Sequence, residues 1–148
     1  KILYTNATIL LMLNTFPNLL FLGLLSPFLI RITVGLMFLW IGYSYLFKDR
    51  VTATNQVANR WPKLAISIVW FGGILEIITG FFLIAGFLTQ IAAIAGVLIA
   101  IDALFVKWLY KDLNKVAKYS KMFYILMLVA SLSLIFSGAG AFAFDLPL

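Results

Sequence analysis

The sequence contains no cysteine and no histidine. Without thiols there are no disulfides, no thiol redox chemistry and no cysteine-ligated iron–sulfur cluster. Without imidazole there is no haem or copper ligation through histidine and no histidine acid–base catalysis. Charge is scarce as well: 11% of the 148 residues are Asp, Glu, Lys or Arg, and only five are acidic. Soluble chains carry about a quarter charged and about half apolar residues, whereas 64% here are hydrophobic. This is the composition of a membrane protein. Its short length leaves little for a body outside the bilayer, so any chemistry lies within the helices or at their ends.

What is abundant is apolar sequence in long runs: Pro27 to Phe47, Leu64 to Leu88, Ile91 to Tyr110, and Met122 to about Gly138. Each is long enough for a helix to cross the hydrocarbon, and none shows the period-two alternation of a barrel strand. The connectors Lys48–Lys63 and Lys107–Lys121 hold every basic residue except Lys1 and Arg31. With four crossings both fall on one side. The positive-inside rule then places loops 48–63 and 107–121 in the cytoplasm, the turn "GFLTQ" and the C-terminus outside, and the chain in the plasma membrane. Trp61, Trp108, Tyr110 and Tyr119 end the runs on the basic side as an interfacial belt does. The net charge of +6 therefore reads as orientation and contact with anionic headgroups, which makes the lipid bilayer the expected partner and excludes nucleic acid.

Residues 1–25 read as a helix lying at the outer interface and a bend at Pro17 into the first crossing, with a fifth crossing as the alternative. Residues 26–148 read as the transmembrane domain. The expected fold is all-α: a polytopic four-helix bundle with an additional N-terminal helix.

Three charges, Arg31, Glu76 and Asp102, stand inside the runs and outside the basic connectors. Counting about 1.5 Å per residue from the turn at Thr89, Glu76 and Asp102 share a level at roughly 20 Å depth. Arg31 lies near the outer start of the first run, and its long stem reaches inward. Arg31, Gly35 and Gly42 share a helical face. Gly72, Glu76, Gly80 and Gly86 share a stripe about 120° wide on the next helix. Glycine stripes let helices approach closely in lipid, so both charged faces are expected at helix contacts, with Arg31 pairing Glu76. The constellation Arg31, Glu76 and Asp102 fits two roles: a buried ion pair that fixes helix order, or a polar pocket for a proton, ion or small headgroup. Thr79, Ser131 and Ser133 read as hydroxyls bonded back to their own helices. No nucleophile, metal cluster or phosphate loop accompanies the carboxylates, so no catalytic residue is assigned.

The order of "RITVGLMFLWIGYSYLF", a Gly-x-x-x-Glu-x-x-x-Gly helix running into "LIAGFLTQIAAIAG", and an ending "SGAGAFAFD" resembles the DoxX-like membrane proteins over about Pro27 to Asp145. The resemblance implies a compact four-helix bundle. In it, Arg31 and Glu76 match the family's charged positions, and Gly138, Gly140, Phe142 and Asp145 match its C-terminal signature. Two departures stand out: Gln90 replaces the family's frequent arginine after Leu-Thr, and "GAG" lacks the proline of a Gly-Pro-Gly ending. Members are described as membrane subunits of sulfur-linked quinone oxidoreductases, including thiosulfate:quinone oxidoreductase, or as partners in oxidative-stress systems. The resemblance thus implies a prokaryotic accessory or anchoring subunit of a larger oxidoreductase complex. Such a subunit has other membrane proteins as partners, no cofactor on side-chain ligands, and a quinone or lipid at its helix surface. The alternative is a small transporter, or a lipid- or small-molecule-binding protein, using the Arg31–Glu76–Asp102 interior.

Overall fold

The computed structural model describes residues 25–110, 117–138, 140 and 143. The expectations for residues 1–24, Phe142 and Asp145 lie outside the described residues. Every regular element described is helical. Helix α1 spans Leu25–Tyr43 and continues as a π-helical turn over Ser44–Lys48; α2 is Arg50–Ala58, α3 Ala65–Ala85, α4 Thr89–Leu109 and α5 Lys121–Ser137. Three helical stretches, Leu25–Lys48, Ala65–Ala85 and Thr89–Leu109, are long and apolar enough to cross a membrane. Apolar α5, at 17 residues, stands at the lower limit of about 17–25 for a span. The chain is a polytopic helical membrane protein.

Side-chain size is distributed in the manner of a protein that packs in lipid. Buried positions of α4 are small, with Ala92, Ala93, Gly96 and Ala100 along one stripe, and large residues such as Trp40, Phe71, Leu98 and Phe136 point outward. Lipid solvates those outer side chains, so close approach of helices, rather than burial of bulk, drives association. Helix α1 packs chiefly on α3, and α4 chiefly on α5. The pairs are joined by Phe38, which is fully buried; a Cβ on Gly96 would lie 3.0 Å from the Phe38 ring and 3.0 Å from Ser131 Oγ. Contrary to the back-bonding expected of it, Ser131 Oγ has no hydrogen-bond partner among the described residues. A back-bonded hydroxyl occurs instead at Thr33, which donates to the Leu29 carbonyl at 2.8 Å.

The first connector, read from the sequence only as a basic linker, contains α2. Its average polarity conceals an i, i+4 pair, Ala53 and Val57, buried against Ala65 and Val69 at the start of α3. Helix α3 ends at Gly86, whose φ of 68° is left-handed. Phe87 N–H donates to Phe82 C=O and Gly86 N–H to Leu83 C=O, the Schellman pattern that turns the chain into α4. Helix α5 is capped by Ser120, whose hydroxyl accepts from Phe123 N–H at 3.2 Å.

The two basic connectors meet at one end of the bundle. Lys118 Nζ lies 2.7 Å from Asp49 Oδ2, the Arg60 guanidinium stands 4.4 Å from the centre of the Tyr110 ring, and Trp61 packs edge-on against Tyr110. Lys107 Nζ donates to the carbonyls of Ala117 and Tyr119, tying the end of α4 to the segment before α5. The hydrogen bond to Asp49, more than its charge, raises the Lys118 pKa above the ordinary 10.5, partly opposed by desolvation. A raised lysine pKa means that the pair's stabilisation is present below the ordinary value and is lost as pH rises through the higher folded value. A melting-temperature series from about pH 9 to about pH 12 should therefore show a small difference between wild type and Asp49→Asn that shrinks toward the alkaline end.

Candidate functional site

The glycines of α1 and α3 set the depth of Arg31 relative to Glu76. A Cβ at Gly35 would stand 2.9 Å from the Gly80 carbonyl oxygen, and one at Gly42 would stand 2.9 Å from the Gly73 carbonyl oxygen and 3.1 Å from Glu76 Cβ. A Cβ at Gly86 would stand 2.6 Å from the Arg31 guanidinium. The helices are therefore antiparallel, with Arg31 level with Gly86, Gly35 with Gly80, and Gly42 with Glu76. Gly86 and Glu76 are ten positions apart, about 15 Å along the axis.

The expected Arg31–Glu76 pair is therefore not formed. The gap is longer than an arginine side chain, and the glycine register forbids sliding the helices to close it. Arg31 is fully buried near the C-terminal end of α3, where the helix dipole favours a cation, with the Phe28 ring centre 5.4 Å from its guanidinium.

The packing stripe also differs from the one expected. A Cβ at Gly72 would meet nothing within 4 Å, whereas one at Gly73 would meet Leu46 at 2.7 Å. Gly72 is thus not a packing glycine, and Gly73 is. A signal for Gly73 was present: Gly35 and Gly42 are seven apart, as are Gly73 and Gly80, and these two heptad pairs face each other. Gly96, beneath Phe38, was likewise missed. In the C-terminal signature, Gly138 has φ 74° and Gly140 φ 70°, backbone that favours glycine.

Glu76 and Asp102 do come together. They line a cavity of about 410 Å³ between α3 and α4, within the range of about 300–1,000 Å³ typical of small-molecule sites. Gly72 and Leu75 flank Glu76 on the α3 wall, and Leu98 and Ala103 flank Asp102 on the α4 wall. Tyr45 of the π-helical turn, Trp61 and Tyr124 complete the lining toward the basic end. Gly72 keeps the space open because it contributes no side chain. Ile68, Phe71 and Leu98 line the cavity yet are exposed on the outer surface, so it opens sideways, toward lipid in a bilayer. Asp102 is exposed in this opening, and Glu76 Oε2 is buried without a hydrogen-bond partner among the described residues. No group of three or more Asp and Glu side chains able to hold a metal occurs among the described residues.

No curated protein and no solved structure gives a match. A family model, DoxX, matches residues 26–108, which run from the first turn of α1 through the last turn of α4 and include both cavity carboxylates. With more than half of its length matched, and with the helical membrane architecture above, the chain belongs to the DoxX family.

Proposed function

We propose that the protein binds a lipid-soluble small molecule in the cavity between α3 and α4, with the molecule's polar end at Glu76 and Asp102 and its apolar part directed toward the bilayer. The observation that supports this reading most is the conjunction of two carboxylates and a laterally open, largely apolar cavity. Intramembrane acids are costly to place and tend to mark substrate or ion pathways. We place the basic end in the cytoplasm and the chain in the plasma membrane, following the positive-inside rule.

The test is to fill the cavity. Gly72→Leu places a side chain into open space and removes a helix-interior glycine, which costs about 0.5–1 kcal/mol relative to a good helix former. The variant should melt at or above the wild-type temperature. Native mass spectrometry of wild type in nanodiscs should show a retained non-phospholipid molecule, or a saturable hydrophobic probe, that Gly72→Leu excludes. Retention of neither by wild type would refute the reading.

A second reading concerns assembly: an accessory subunit of a quinone-linked oxidoreductase, as the family resemblance implies. It is favoured by the lack of cysteine and histidine, which leaves any redox centre held by those ligands to another subunit. Gentle extraction should then recover the chain with oxidoreductase subunits, and a lone monomer under the same conditions would count against it.

A further inference from the structure

We infer that the cavity selects an organic cation, a protonated amine or onium group carried on an apolar or aromatic body. This rests on the reading of the cavity as a ligand site and names its ligand class.

Charge is the first argument. Glu76 and Asp102 line the cavity, and no Lys or Arg is among its lining residues. The nearest basic group along α4, Lys107, is held by the Ala117 and Tyr119 carbonyls, and Arg31 stands at the opposite end of α3. Buried charges are normally compensated by a partner. Here the buried Glu76 Oε2 has no hydrogen-bond partner among the described residues, so a cationic ligand that enters would supply the counter-charge that lets Glu76 ionise.

The rest of the lining completes the fit. Tyr45, Trp61, Phe71 and Tyr124 bring aromatic rings to the same cavity. Arg60 and Lys107 already stand 5.9 Å from the centres of the Trp61 and Tyr124 rings, so Tyr45 and Phe71 are the rings that remain for a ligand cation, which aromatic faces attract more strongly when desolvated. The carboxylates recognise the charge, the rings recognise an onium group without needing its hydrogens, and the opening past Phe71 and Leu98 accommodates apolar substituents. An anionic ligand meets two like charges. A neutral ligand gains nothing from ionised acids and is matched only by protonated ones.

The experiment compares two ions of the same shape and opposite charge, tetraphenylphosphonium and tetraphenylborate, with wild type in neutral-lipid nanodiscs by equilibrium dialysis, empty nanodiscs being subtracted. Expected is saturable binding of the phosphonium at one site per chain, with about tenfold or greater preference over the borate. Glu76→Gln should weaken phosphonium binding by about tenfold or more, and Gly72→Leu should abolish it. Equal binding of both ions by wild type overturns the proposal without reference to any variant. So does undiminished phosphonium binding by a folded Glu76→Gln/Asp102→Asn double variant. If a neutral probe such as an alkylated hydroquinone binds saturably and is excluded by Gly72→Leu while the phosphonium is ignored, the cavity reading stands and the cation inference falls.

Discussion

Gly80→Leu is expected to prevent the bundle from assembling. A Cβ at Gly80 would stand 2.7 Å from the Gly35 carbonyl oxygen and 2.8 Å from the Leu39 amide nitrogen, and both atoms are backbone. No rotamer change relieves such a contact, so α1 and α3 must separate along their whole shared face. Overpacking of ordinary cores costs about 1–3 kcal/mol, and a backbone collision at a helix crossing belongs at or above the top of that range. Detergent-solubilised Gly80→Leu should lose its monodisperse size-exclusion peak or melt far below wild type. The same substitution on the same helix at Gly72, where a Cβ meets nothing within 4 Å, should leave the peak intact. Similar behaviour of the two variants would show that the register of α1 against α3 is not the one described.

Gly86→Ala should also be strongly destabilising, for two separable reasons. Its φ of 68° costs a residue with a Cβ about 1–2 kcal/mol. In addition, that Cβ would lie 2.6 Å from a guanidinium nitrogen of Arg31 and 2.9 Å from Ala143 Cα. The two costs together amount to about 2–5 kcal/mol. Gly86→Asn separates them, because asparagine tolerates the left-handed conformation but brings the same Cβ. Melting temperatures should place both variants well below wild type. Recovery of wild-type stability by asparagine would show that only the dihedral angle matters and that Arg31 is not seated against this turn.

Much of the architecture was legible because lipid imposes a single rule: an apolar run of spanning length forms a helix that satisfies its own backbone. The four runs therefore correspond to α1, α3, α4 and α5. The two basic connectors lie at one end, as helix parity requires, and there Lys118 meets Asp49. Helix α2 was hidden because its signal is one apolar pair in a polar segment, visible only against its neighbours Ala65 and Val69.

The charged residues were harder to place, since a sequence carries no scale for sliding one helix along another. Depth counted from the turn at Thr89 put Glu76 and Asp102 near each other, and both line one cavity, because α3 and α4 are joined by that short turn. The same counting failed for Arg31, which enters on a helix joined to α3 only through a long connector and α2. There the offset is set by glycine contacts, and those leave Arg31 beside Gly86.

By itself, then, the sequence determined that this is a helical membrane protein of the DoxX family, with two acids at the middle of its central hairpin and neither cysteine nor histidine among its 148 residues. Tertiary structure alone decided which charges meet. It separated Arg31 from Glu76, turned Gly72 away from the helix contact, and left Glu76 and Asp102 facing an open cavity. The physical reason is that hydropathy and length act along one chain, whereas helix register is set where backbones of different segments approach so closely that a Cβ added at Gly35, Gly42 or Gly80 would stand less than 3 Å from the facing backbone.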